Sequence, residues 1–266
     1  MSPEETLSIQ QAAHAAANAA RTQTLRHFRA PLIVEDKSDG AFDPVTEADR
    51  AGERAIRDVL AKFRPNDSIL GEEYAPVEGS SGLTWVLDPI DGTRGYVSGT
   101  PTWGTLISLR DETGPLFGII DQPYIGERFW GGFGAAGVSG PTGERTLSTS
   151  RVRDLAQATL LTTFPEVGRP QDRLGFEAVR DVVQLTRYGM DCYGYALAAI
   201  GSVELVIEAG LQEYDISAPV AVVQAAGGLV TNWRGGPAHE GGQAIAAANA
   251  EIHAAALALL EPYADD

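Results

Sequence analysis

The sequence has one cysteine, Cys192, in 266 residues. That excludes an internal disulfide framework and a cysteine-rich zinc site, and it suits a reducing compartment such as the cytoplasm. Positive charge is also scarce. Lysine occurs only as Lys37 and Lys62, and 20 Lys+Arg face 36 Asp+Glu, a formal charge of -16. Such a chain repels nucleic acid and anionic membrane unless bound cations reverse the local field. His14, His27, His239 and His253 are scattered, which argues against histidine-based phosphatase chemistry and polynuclear histidine sites. No apolar run approaches membrane-spanning length, and the acidic stretch from Met1 to Glu5 lacks the basic region of a signal peptide. There is no Walker loop and no internal repeat. Gly131, Gly132 and Gly134 precede no helical pattern, so they form no dinucleotide fingerprint.

What remains is an ordinary globular composition, 44% hydrophobic and 21% charged, long enough for a large core or for two halves packed together. Residues from about Pro3 to Phe28 read as one alanine-rich helix with Leu7, Ala15, Ala19 and Leu25 along its stripe. A polar turn holding Lys37 follows. Next comes Asp43-Pro-Val-Thr-Glu-Ala-Asp49, with Thr46 as a helix cap and Asp49 in the first turn. A short strand, Ile69-Leu70, stops at Gly71-Glu72-Glu73. Strand-like runs at 103–110, 116–121 and 128–131 have antiparallel character, with a hairpin turn at 111–114. The glycine-rich stretch from Gly131 to Gly143 reads as a loop connecting an N-terminal half, about 1–135, to a C-terminal half, about 136–266. The second half alternates strand and helix patterns, which is α/β character. One of its helices is expected over Ile216 to Ala226, where Pro219 fits near the start.

The chemistry centres on Trp85-Val-Leu-Asp-Pro-Ile-Asp-Gly-Thr93. An apolar strand runs into two carboxylates, Asp88 and Asp91, three residues apart across a proline. Their side chains and the Ile90 carbonyl can converge on one point, the all-oxygen set that hard divalent cations require. Gly92 and Thr93 would open a short helix and offer its first free N–H groups to an anion. Asp49, Glu72 and Asp215 also stand at element ends, where active sites are built. Taken singly, each reads as a cap or a surface acid sooner than as a ligand.

Together these segments resemble the inositol monophosphatase family of metal-dependent phosphomonoesterases. The match consists of Gly71-Glu-Glu73, Asp88-Pro-Ile-Asp-Gly-Thr93, and Tyr214-Asp215 before a helix ending Ala226-Gly-Gly228, with the 43–49 segment upstream. The resemblance implies an αβαβα layered fold, a single catalytic domain and a homodimer. It also implies two or three Mg²⁺ ions on Glu72, Asp88, the Ile90 carbonyl, Asp91 and Asp215, with Asp49 joining through a water. Gly92 and Thr93 become the phosphate cradle, and Thr93, Asp49 and Glu72 the catalytic residues. Within the family, Gly189-Met-Asp191-Cys192-Tyr193 and Tyr214 are similar to the histidinol-phosphate phosphatase branch of histidine biosynthesis, although Met190 replaces a glycine. Histidinol phosphate carries an ammonium and an imidazole, which Asp191 or Glu208 would pair with, while Arg187 could position Asp191 or reach the ester. An inositol-1-phosphatase or a broad phosphomonoesterase is the alternative. A non-catalytic metal or phosphate sensor is disfavoured by the intact acids and Thr93.

Overall fold

The structure, a computed structural model, describes residues 1–31, 34–36 and 44–265. In chain order, the first half runs α1 (Pro3–His27), β1 (Val34–Asp36), β2 (Pro44–Thr46), α2 (Glu47–Phe63), β3 (Ser68–Gly71), β4 (Thr84–Asp91) and α3 (Thr93–Ser98). It continues with β5 (Gly104–Asp111), β6 (Gly114–Gln122), β7 (Glu127–Gly132), β8 (Ala135–Gly140) and β9 (Gly143–Thr146). The remainder is β10 (Thr159–Thr162), α4 (Pro170–Arg180), β11 (Leu185–Tyr188), α5 (Asp191–Ala199), β12 (Leu205–Leu211), α6 (Glu213–Ala225), β13 (Leu229–Thr231), β14 (Gly242–Ala247) and α7 (Ala250–Leu260). Lys37 and Asp43 lie outside the described residues. Among the described residues, no helix is long and apolar enough to cross a membrane.

Strands β3 to β9 form a seven-stranded sheet in sequence order, with β3 parallel to β4 and every later pair antiparallel. A second sheet has the order β11-β10-β12-β14-β13. Helices α1 and α2 cover the outer face of the first sheet, α5 and α6 fill the space between the sheets, and α4 and α7 cover the outer face of the second. The layers are therefore αβαβα, an α+β fold, as expected.

Helix α1 begins where Ser2 Oγ accepts the Glu5 N–H at 3.2 Å and Pro3 occupies the first turn. Its buried face is Ile9, Ala12, Ala13, Ala16, Ala17, Ala20 and Thr24. This corrects the expected stripe, because Leu7 is 54% and Leu25 37% exposed. Alanine is the contact residue here: with so little side chain it lets α2 approach closely, and the larger leucines turn outward.

The glycine-rich stretch also differs from expectation. Residues 131–143 are not a connecting loop but the end of β7, all of β8 and the first residue of β9. The glycines are there for close approach: a Cβ on Gly131 would lie 2.8 Å from the Val222 Cα, and one on Gly118 2.6 Å from the Ala218 carbonyl oxygen. They let α6 lie directly on the sheet, where Ser108 Oγ and Ser217 Oγ are 2.7 Å apart. Helix α6 starts at Glu213, three residues before the expected Ile216, so Pro219 sits inside it rather than near its start.

Candidate active site

Strand β4 is buried from Trp85 to Ile90 and carries the first two acids. In a regular strand, residues three apart point to opposite faces. Here the pairing slips between Asp88, opposite Leu106, and Asp91, opposite Gly104. This bulge at Pro89-Ile90 turns both carboxylates to one side. Thr105 Oγ1 holds it by donating to the Pro89 carbonyl at 2.8 Å. Asp215 reaches the same point as the third residue of α6. One oxygen from each of Asp88, Asp91 and Asp215 lies within 4.8 Å of the others. Glu72 follows β3, beside β4, where its N–H donates to the Leu87 carbonyl at 3.2 Å.

Burial pushes the Asp88 carboxyl well above its ordinary range, and repulsion from Glu72, Asp91, Asp215 and Asp49 pushes it further. Asp91 is raised by burial and by Asp215 and Asp191, against the Cys192 N–H that donates to it at 2.6 Å. Acids that repel one another at such close range form a site that favours positive charge. The set is all oxygen, so it fits a hard divalent cation.

Asp49 is fixed from both ends of the α2 cap. Thr46 donates to Asp49 Oδ2 from its N–H at 2.8 Å and from its hydroxyl at 2.6 Å. Asp49 Oδ1 faces the Thr93 hydroxyl at 3.5 Å, and the same hydroxyl donates to the Ile90 carbonyl at 3.1 Å. Burial carries the Asp49 carboxyl up to about 6. Gly92 caps α3 with φ +84°, and a Cβ there would lie 2.7 Å from Asp191 Cγ. Gly92→Ala is accordingly expected to cost about 1–3 kcal/mol through backbone strain and to weaken inhibition by inorganic phosphate. An unchanged melting temperature would contradict it.

A cavity of about 310 Å³ opens over these residues, lined by Asp91, Gly92, Thr93 and Asp215 on one side and by Thr163, Asp191 and Glu208 on the other. Asp191 starts α5 with φ +47° and accepts from Thr102 Oγ1 at 3.1 Å. Burial raises its carboxyl, while Thr102 and the nearby Arg94 oppose the shift. Glu208 is buried and raised to about 7, although Thr163 donates to it from N–H at 2.8 Å and from Oγ1 at 2.9 Å. A larger groove of about 790 Å³ lies near β8 and β9, but its lining holds a single carboxyl, Glu144.

Most of the residues singled out in the sequence thus converge: Glu72, Asp88, Ile90, Asp91, Gly92, Thr93 and Asp49 from the first half, and Asp191, Glu208 and Asp215 from the second. Arg187 does not join them. It is exposed on β11, the edge strand of the second sheet, and lies outside the cavity lining. Sequence reasoning passed over four residues at the site. Arg94 follows the Gly92-Thr93 turn and packs on the Phe164 ring at 4.8 Å, so its position beside the motif was a usable signal. Thr163 and Phe164, just beyond β10, belong to no motif, and Tyr195, in α5, closes the 187–195 segment without a role of its own in the sequence reading.

Carboxylates gathered from strand ends and a helix start, next to a glycine-opened helix N-terminus, define a metal-dependent phosphoryl hydrolase. The comparisons agree. A family model described as the inositol monophosphatase family matches residues 4–264. The chain is 39% identical to a histidinol-phosphatase of Streptomyces coelicolor, covering 91% of this chain and 92% of that one. It is 30% identical to an inositol-1-monophosphatase of Caulobacter vibrioides, covering 90% and 95%. Among solved structures, an inositol monophosphatase from Zymomonas mobilis superposes with a TM-score of 0.85 at 36% identity, covering 98% and 100%. The protein belongs to the inositol monophosphatase family and is a hydrolase of phosphate monoesters.

Proposed function

We propose that this phosphatase hydrolyses L-histidinol phosphate to L-histidinol and phosphate with Mg²⁺. The observation that carries the reading is the Asp191 carboxylate, placed directly over Gly92 in the same cavity as Glu208. An acid beside the phosphate cradle repels an ester that brings only negative charge, and it pairs with one that also carries an ammonium. The Streptomyces coelicolor relative named a histidinol-phosphatase supports the same substrate.

In this reading Glu72, Asp88, the Ile90 carbonyl, Asp91 and Asp215 would hold two or three Mg²⁺ ions, and Asp49 would join through a water. When bound, the metal supplies positive charge to both the attacking and the leaving oxygen of a dianionic ester. Gly92 and Thr93 N–H groups receive the phosphate oxygens. The Thr93 hydroxyl, which donates to the Ile90 carbonyl and stands 3.5 Å from Asp49 Oδ1, offers its lone pairs to a water and orients it for attack. Asp49, beside that hydroxyl, is placed to take up a proton from the water. Both halves of the chain contribute to this cavity and act as one catalytic domain. We take the protein to be cytoplasmic, which suits the buried thiol of Cys192, and to form a homodimer as the family resemblance implies.

Phosphate release from L-histidinol phosphate and from inositol 1-phosphate, compared at equal concentration with Mg²⁺, tests the substrate. Faster turnover of the inositol ester would overturn the reading in favour of an inositol-1-phosphatase. Asp191→Asn is expected to lower kcat/KM for histidinol phosphate at least about tenfold more than for glycerol 2-phosphate, because a charge-assisted hydrogen bond is lost only with the amino ester. Equal losses on the two esters would argue against an ammonium contact.

A further inference from the structure

Helix α2 carries a second carboxylate one turn beyond Asp49. Glu53 follows on the same face and is 0% exposed, yet the proposed mechanism makes no use of it. Its two oxygens serve two donors. Oε1 accepts from Arg57 Nε at 2.8 Å, and Oε2 accepts the backbone N–H of Glu73 at 2.8 Å. The ion pair alone does not account for the burial, because a carboxylate and a guanidinium one turn apart pair equally well on an exposed helix face, whereas sealing a charge inside is costly. What burial adds is contact with the turn after β3. A Cβ on Gly71 would lie 2.1 Å from Glu53 Oε1, so glycine at that position lets the carboxylate in beneath the chain.

That turn holds two adjacent glutamates that face different acids. Beyond burial, Asp88 feels the charge of Glu72 most, and Asp49 feels that of Glu73. Three successive residues are tied down around them. The Glu72 N–H donates to the Leu87 carbonyl on β4 at 3.2 Å, the Glu73 N–H donates to Glu53, and the Tyr74 carbonyl accepts from Arg57 at 3.1 Å. The turn is thus strung between the strand that carries Asp88 and the helix that carries Asp49. We propose that Glu53 is a positioning residue for the metal site, fixing through the Glu73 N–H which of the two adjacent glutamates is presented beside Asp88 as a ligand. The inference rests on the reading of Glu72 as a metal ligand and adds the group that aims it.

Glu53→Gln keeps the shape of the side chain and removes one acceptor. An amide has a single oxygen for the two donors, so either Arg57 or the Glu73 N–H is left facing its NH₂ group. Calorimetric titration of the folded variant with Mg²⁺ alone is expected to give a Kd about ten- to a hundredfold above that of the wild type, the usual loss when a metal ligand's outer partner is removed. In the metal-free protein the Glu73 amide should exchange with solvent about tenfold faster, the size of one hydrogen bond to a charged group. A double-mutant cycle with Glu72→Gln separates positioning from plain support of the fold. If Glu53 acts through Glu72, adding Glu53→Gln to Glu72→Gln changes the Mg²⁺ affinity less than about twofold. Gly71→Ala, which pushes the same carboxylate off the turn with its charge intact, takes the place of Glu53→Gln should that variant fail to fold. Unchanged Mg²⁺ affinity in the folded variant, or losses that add in the double variant, would overturn the positioning role alone. Unchanged Mg²⁺ affinity in Glu72→Gln would overturn the reading of Glu72 as a ligand, and the role of Glu53 with it.

Discussion

Asp91→Asn is expected to reduce phosphatase turnover by more than the roughly 100-fold that loss of an outer-shell partner costs a metal site. The same substitution should raise the melting temperature of the metal-free protein. Both effects have one origin. Asp91 is half-buried among Asp88, Asp191 and Asp215, and removing its charge relieves their repulsion while depriving a bound cation of an oxygen that cannot be replaced. The amide keeps the shape of the carboxyl, so the Cys192 N–H can still donate to its carbonyl oxygen. Initial rates across a Mg²⁺ titration, with thermal melts in EDTA, measure both. A variant of normal activity, or one that is destabilised without metal, would show that Asp91 is a structural cap and not a ligand.

The second large effect is the dependence of metal-free stability on pH. Asp49 lies at about 6 and Glu208 at about 7, against ordinary values of 3.8 and 4.5. A carboxyl raised in the folded state binds its proton more tightly there than in the unfolded chain, so stability falls as pH rises from about 4 to about 7. A displacement of that size is on the order of 3 kcal/mol per carboxyl. Asp88 and Asp91 are raised as well and extend the loss upward. Carboxyls held low by partners, such as Asp172 with Arg169, act below this window, while His14 and His253, lowered by burial, lose stability as pH falls and offset part of the trend within it. The EDTA-treated protein should therefore melt on the order of 10 °C higher at pH 5 than at pH 8, and Mg²⁺ should close most of that gap. A metal-free melting temperature that climbs from pH 5 to pH 8 would contradict the electrostatic account of the site.

The acids of the site were legible in the sequence because their signals are local. Asp88, Asp91, Gly92 and Thr93 lie within six residues, Asp49 and Asp215 stand at helix starts, and Glu72 ends a strand. What could not be read is what tertiary packing decides. The bulge that turns Asp88 and Asp91 to one side depends on the pairing of β4 with β5. Thr163 and Tyr195 meet Glu208 because β10 lies beside β12 and α5 packs over both. Arg187 follows a strand pattern like its neighbours, and only the tertiary structure leaves it exposed on the edge strand and outside the cavity lining. Alanine and glycine misled for a related reason. Both tolerate burial and exposure, so the face of α1 and the strands after Gly131 are set by what packs on them.

The seating of α6 on glycines also sets which parts of the site can drift through evolution. Glu208 and Asp215 are separated by one turn of chain between β12 and α6, and α6 cannot slide without striking the backbone at Gly118 and Gly131. An insertion or deletion between Glu208 and Asp215 would displace the acid cluster together with the cavity wall. Thr163 and Phe164 follow β10, and Asp191 and Tyr195 stand on α5, outside the segment that α6 holds in place. Substitution at those positions leaves the length of the segment from 208 to 215 unchanged and the acid cluster in place.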